Sequence, residues 1–119
     1  MAKILLVDDE RIVCDFLIRL LNFEGLDVKA VYNGQDAINL VKKEKFDIIF
    51  LDIRMPGLDG VETLKRLKTI SPGTKYFMMT GYAVDDMLDE AKREGAIATL
   101  IKPFDIGEIN ALIQKYINK

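Results

Sequence analysis

Short apolar runs that alternate with amphipathic stretches govern what this chain can fold into. Ile4–Val7, Ile48–Leu51, Tyr76–Met79 and Ile97–Ile101 are brief and nearly continuous in hydrophobicity. Runs of that kind suit strands covered on both faces, as in a parallel sheet. Leu26–Val31 differs, because Asp27 and Lys29 alternate with Val28 and Ala30. A half-polar strand belongs at a sheet edge.

The stretches between the strands carry helical periodicity. Val13, Phe16, Leu17, Leu20 and Leu21 form one stripe of a first helix. Ala37, Ile38 and Val41 mark a second helix, and Val61, Leu64 and Leu67 a third. Val84, Met87, Leu88 and Ala91 mark a fourth, and Ile109, Leu112, Ile113, Tyr116 and Ile117 a fifth. Gly25 and Gly95 stand where left-handed residues end helices, and Ser71-Pro72-Gly73 stops the third helix. Asp105 and Glu108 have the spacing of a capping box opening the fifth. Five strands alternating with five helices require right-handed crossovers and a sheet covered on both sides. The expected fold is α/β: a doubly wound five-stranded parallel sheet in the order 2-1-3-4-5, the flavodoxin-like (βα)5 arrangement.

The 119 residues suffice for one hydrophobic core, so residues 1–119 are expected to form one domain. Lys and Arg total 17 against 19 for Asp and Glu, a net charge of −2. That balance leaves no basic footprint, and direct nucleic-acid binding is not expected. No segment approaches the roughly 20 apolar residues that span a bilayer, so membrane insertion is not expected either. Ile4–Val7 is too short to be the apolar stretch of a signal peptide. Cys14, the sole cysteine, excludes an intrachain disulfide and is read as a small buried residue of the first helix. These features suit a cytoplasmic protein. With no histidine in the chain, His-based catalysis and His metal sites are excluded.

In a doubly wound sheet the ligand crevice lies beyond the carboxyl ends of the strands, where the winding direction reverses. Asp8 and Asp9 follow the first strand, Asp52 the third, Thr80 the fourth and Lys102 the fifth. Three carboxylates at one mouth repel and raise each other's pKa unless a cation joins them. Hard oxygen donors without His or Cys favour Mg²⁺, with Mn²⁺ possible. Each residue also has a plainer use. Asp8-Asp9-Glu10 could load the amino end of the first helix with charge, and Asp52 could cap the turn before Met55-Pro56-Gly57. Thr80 could be a strand-end hydroxyl and Lys102 a solvated charge. Their shared position at one end of successive strands favours a joint site.

The ordered set resembles the receiver domain of two-component response regulators over essentially the whole length. The set comprises the acidic pair, Asp52 followed by Met55-Pro56-Gly57-Leu58-Asp59-Gly60, Thr80, and Lys102-Pro103-Phe104. The resemblance implies that Asp52 accepts a phosphoryl group, with Thr80 and Lys102 contacting the phosphoryl oxygens. It implies a metal ion held chiefly by Asp9, with Asp8 assisting and Asp52 and the Arg54 backbone carbonyl completing the set. It also implies a cis Lys102–Pro103 peptide. The implied donor is a phosphohistidine on a sensor histidine kinase or a histidine phosphotransfer protein. The implied output runs through the face made by the fourth helix, fifth strand and fifth helix, to a target protein or an output domain. Such a chain switches or relays a signal and is not an enzyme, beyond self-phosphotransfer and slow autodephosphorylation.

Two positions depart from the family's commonest pattern. Thr99 stands where many receivers carry an aromatic ring that swings inward on activation. Arg54 and Tyr82 flank the site with bulk, which favours a long-lived phosphoryl group. Some single-domain relays of sporulation-type phosphorelays are similar there and in Lys102-Pro103-Phe104-Asp105-Ile106. The start of the chain and the lack of a linker after Asn118 favour a stand-alone relay or adaptor, with an amino-terminal receiver excised from a longer transcriptional regulator as the alternative. A haloacid-dehalogenase-like phosphatase is more remote, because the acid/base Asp it needs two residues after the nucleophile is Arg54 here. A flavodoxin-type cofactor module is disfavoured by the acidic loop Asp8-Asp9-Glu10-Arg11, where phosphate binding wants small residues and backbone amides.

Overall fold

The computed structural model describes residues 2–81 and 85–117. Strands β1 (Lys3–Val7), β2 (Asp27–Val31), β3 (Ile48–Asp52), β4 (Lys75–Thr80) and β5 (Ala96–Ile101) form one sheet. They alternate with helices α1 (Arg11–Phe23), α2 (Gly34–Val41), α3 (Gly60–Ile70), α4 (Asp85–Arg93) and α5 (Ile106–Ile117). Every pairing is parallel and the strand order is β2-β1-β3-β4-β5, the expected one of the two common doubly wound orders. The half-polar β2 lies at one edge, and β1 and β3, where the winding reverses, are adjacent.

Alternation along the strands divides the core into two layers. Leu5, Val7, Ile49, Leu51, Tyr76 and Met78 face Ala37, Ile38, Val41, Val61, Leu64 and Leu67 of α2 and α3, with Ala91 of α4. Ile4, Leu6, Ile48, Phe50, Phe77 and Met79 face Cys14, Leu17 and Leu21 of α1 and Ile109 and Ile113 of α5. Cys14 is buried, and burial together with the neighbouring Asp8 charge pushes its thiol pKa up to about 12. Of the expected α4 stripe, Met87 and Leu88 are half-buried against the first layer, and Val84 lies outside the described residues.

Two apolar patterns are less buried than their periodicity suggests. On α1 the inward stripe is Cys14, Leu17 and Leu21, whereas Phe16 is 61% exposed. Phe16 sits one position off the buried row, on the same outer side as Ile12 at 85%. On β5 the run Ile97–Ile101 is not covered throughout. This strand is the other edge of the sheet, and Ile97 and Ile101 are exposed. A register shift between Tyr76 and Phe77 leaves Ile97 outside the pairing with β4.

The turns behave as their residue types dictate. Gly25 and Gly95 adopt φ of 86° and 109°, the left-handed region that favours glycine. The Asp105 carboxylate accepts from Glu108 N at 2.8 Å and Asp105 N donates back to the Glu108 carboxylate at 3.5 Å, which makes the expected capping box. Asp59 caps α3, its carboxylate accepting from Glu62 N at 2.8 Å.

Gly60, the first residue of α3, meets the end of β3 backbone to backbone. Its N–H donates to Ile53 O at 2.8 Å, and a Cβ there would lie 2.2 Å from Asp52 O and 2.7 Å from Ile53 Cα. Backbone atoms cannot step aside as a flexible side chain can. Gly60→Ala is therefore expected to lose at least about 1–3 kcal/mol in urea unfolding, the usual cost of forcing atoms into a filled space. Gly73→Ala, with nothing within 4 Å of its Cβ, should lie within roughly 0.5 kcal/mol of the parent.

Candidate functional site

The ends of β1, β3, β4 and β5 bring four of the expected residues together. Asp8 is fixed by its N–H, which donates to Val31 O at 3.2 Å, and its side chain turns inward. Asp52 ends β3 beside Met79 of β4, and Thr80 ends β4. All three are buried. Lys102 follows β5, its N–H donating to Thr80 O at 2.7 Å, and the next peptide bond, Lys102–Pro103, is cis.

Lys102 is the hub. Its ammonium donates to the carboxylates of Asp8 at 2.6 Å, Glu10 at 2.8 Å and Asp52 at 3.2 Å. Three protons meet three anions, so the donor capacity of the group is filled. Burial opposes its charge, but the hydrogen bonds it donates to Asp8 and Glu10 and the field of Asp52 outweigh burial. Lys102 is held charged well above the ordinary lysine range. It is no solvated surface charge.

Asp52 is in the opposite situation. Burial first, and the Asp8 charge second, raise its pKa from 3.8 to about 6, against the pull of Lys102. Its Oδ1 accepts from Arg54 N at 3.2 Å and its Oδ2 from Lys102. The carboxylate therefore does brace the following turn, as the plainer reading had it, while also facing the crevice. The Asp8 carboxylate uses Oδ1 to accept from Glu10 N at 3.0 Å and Oδ2 to accept from Lys102. The acidic run ends at Glu10, the N-cap residue of α1, and no acidic residue occupies the helix's first turn.

Oxygens of Asp8, Glu10 and Asp52 lie within 4.8 Å of one another, a spacing at which one cation could be shared among the described residues. Three carboxylates against one ammonium leave an excess of negative charge in a partly buried crevice, and the all-oxygen donor set fits a hard divalent ion. Asp9, expected to dominate the metal set, is exposed and does not belong to this group. Glu10 does belong, although the sequence reading used it only as part of a charge run. Its signal was contiguity with Asp8 and Asp9. Arg54 is exposed, Thr99 is half-buried, and Tyr82 lies outside the described residues.

The response regulator receiver domain model matches residues 4–114 of the chain. The chain belongs to the response regulator receiver domain family. This receiver is 41% identical over 115 residues to sporulation initiation phosphotransferase F of Bacillus subtilis, covering 97% of this chain and 93% of that one. It is also 38% identical to the transcriptional regulatory protein ZraR of Klebsiella oxytoca, covering 96% of this chain but only 26% of that protein. Relatives thus include proteins of the receiver's own length and much longer regulators. In structure, it superposes on a CheY-like receiver domain protein from Methanospirillum hungatei with a TM-score of 0.96, at 28% identity and over 99% of this chain and 94% of that one. A Burkholderia pseudomallei response regulator solved with a phosphorylated aspartic acid, calcium ion and citrate matches with a TM-score of 0.88. That match is 28% identical and covers 93% of this chain and 65% of that one. Receiver domains are phosphorylated on aspartate and are not enzymes of the usual multiple-turnover kind. No helix among the described residues is long and apolar enough to cross a membrane.

Proposed function

We propose that this receiver takes a phosphoryl group onto Asp52 from a phosphohistidine donor and passes or reads it as a signal. The observation that carries the reading is Lys102, a charged ammonium shared among Asp52, Asp8 and Glu10 inside the crevice. The Asp52 carboxylate attacks phosphorus, the bond from phosphorus to the donor nitrogen breaks, and the imidazole leaves with that electron pair. No base is needed, because an ionised carboxylate has no proton to lose. Lys102 and the Thr80 hydroxyl offset charge on the peripheral oxygens, while the walls of the crevice limit water.

In this reading Mg²⁺, or Mn²⁺, is held by Asp9, Asp52 and the Arg54 carbonyl, with Asp8 supporting. When bound, the ion supplies charge neutralisation between the acceptor and the incoming phosphoryl group. Asp8 supports the cluster by accepting from Glu10 N and from Lys102. A related regulator solved with a phosphorylated aspartic acid and a calcium ion is in keeping with an aspartate acceptor and a hard divalent ion.

A protein donor has a surface beside the crevice. Ile12, Val13, Phe16, Leu20, Phe104 and Ile106 line a groove of about 790 Å³ that reaches Glu10 and Lys102. Exposed apolar side chains in such a place favour a histidine kinase or a phosphotransfer protein over a small metabolite as the donor. The output reading rests on the link from Thr80 to β5. Thr80 is paired in register with Ile101 of β5, whose side chain is exposed. The test is incubation with acetyl phosphate and Mg²⁺, followed by peptide mass mapping. One phosphoryl group should map to the peptide containing Asp52, and a label on any other residue would overturn the assignment.

A further inference from the structure

We infer that Glu10 is a positioning residue that occupies the phosphate-binding valence of Lys102 and must yield it before the phosphoryl group can be held. The inference rests on the reading of Asp52 as acceptor and Lys102 as its cationic partner. Lys102 has three N–H donors, and Asp8, Glu10 and Asp52 take all three. An incoming phosphoryl oxygen can reach this ammonium, while Asp52 is still a carboxylate, only if one partner leaves.

The three partners are not equally able to leave. Asp8 and Asp52 have side chains only 2% and 8% exposed, and before the bond from Asp52 to phosphorus forms an unpaired carboxylate at either place would be a buried, uncompensated charge. The Glu10 side chain is 55% exposed and can turn into water at small cost. A second observation frees it for this use. Glu10 is the N-cap residue of α1, yet its side chain makes no capping hydrogen bond. Its carboxylate serves Lys102 and not the helix, so releasing it leaves α1 intact.

Glu10 therefore competes with phosphoryl oxygens for one ammonium. The transfer itself is unchanged: with acetyl phosphate, Asp52 attacks phosphorus, the phosphorus–oxygen bond breaks and acetate leaves with the electron pair. What Glu10 sets is how readily Lys102 turns to the incoming group. Because an exposed ion pair of this kind is weak, Glu10→Gln should accelerate uptake by about two- to fivefold.

The experiment measures initial rates of acetyl phosphate labelling at fixed Mg²⁺ for the parent, Glu10→Gln and Glu10→Asp, with Mg²⁺ affinity measured separately for each. Glu10→Asp keeps the charge but draws it back from the ammonium by one methylene. Faster labelling of both variants, with Mg²⁺ affinity unchanged, is the expected result. Acceleration in Glu10→Gln alone would mean general repulsion of an anionic donor and would overturn the inference. So would unchanged or slower labelling, or a several-fold loss of Mg²⁺ affinity, which would make Glu10 a metal ligand. A parent protein that takes no label on Asp52 would refute the acceptor assignment instead.

Discussion

Asp52→Asn should abolish phosphoryl uptake from acetyl phosphate and, in metal-free buffer near pH 7, make the protein more stable. The loss of uptake should be complete, because an amide has no free electron pair suited to attack and no replacement carboxylate reaches the same place. The gain in stability comes from the penalty that the native residue carries. Burial and the Asp8 charge raise the Asp52 pKa to about 6, so the folded state holds a proton that the unfolded chain gives up near pH 4. Between those values the folded state binds more protons, and stability falls as pH rises. The penalty is absent below about pH 4 and complete above about pH 6. Asp52→Asn removes it without unpairing Lys102, which keeps Asp8 and Glu10. A shift of that direction corresponds to about 1–3 kcal/mol at neutral pH, which is several degrees in Tm. Thermal unfolding from pH 4 to pH 8 in EDTA checks the sign: the advantage of the variant should grow with pH and level off. A variant no more stable than the parent at pH 7 would show that Lys102 fully compensates the buried carboxylate.

Much of this architecture could be read from residue order because local and global signals agree. The alternation of patterns leaves two common strand orders, the polar β2 fits the edge place it has in the one observed, and the strand ends then put Asp8, Asp52, Thr80 and Lys102 in one crevice. What escaped was set by tertiary contacts. Phe16 has the spacing of an inward residue, but the rotation of α1 on the sheet buries Cys14, Leu17 and Leu21. Periodicity determines that a face exists and leaves its centre uncertain by one residue. Ile97 and Ile101 read as covered because an apolar run does not say which strand is last in the sheet. Within the site, spacing cannot tell which member of an acidic run turns inward. That depends on where the Lys102 ammonium arrives from a loop 92 residues away from Glu10, and it brings Glu10 into the cluster while Asp9 faces outward.

The division of labour along that acidic run leads to the other large effect. Removing divalent metal should stop uptake on Asp52 and lower Tm, and restoring Mg²⁺ should reverse both. The crevice carries more negative charge than Lys102 balances, so an ion that binds only the folded state stabilises it by mass action. At tenfold excess over the dissociation constant the gain is about 1.4 kcal/mol. Between Asp8 and Asp9, the better ligand is the one whose side chain is freer to turn. Both oxygens of Asp8 accept hydrogen bonds, from Glu10 N and from Lys102, and moving either toward an ion would unpair a buried group. Asp9 is exposed and can turn toward the crevice without that cost. Asp9→Asn should therefore weaken Mg²⁺ binding on the order of tenfold or more, and Asp8→Asn should weaken it less. Isothermal titration of both variants against the parent separates the two. A larger loss from Asp8→Asn would place Asp8 in direct contact with the ion and leave Asp9 as surface charge. Persistence of both uptake and Tm in EDTA would remove the metal from the proposed chemistry, leaving Lys102 alone to offset the charge of the incoming phosphoryl group.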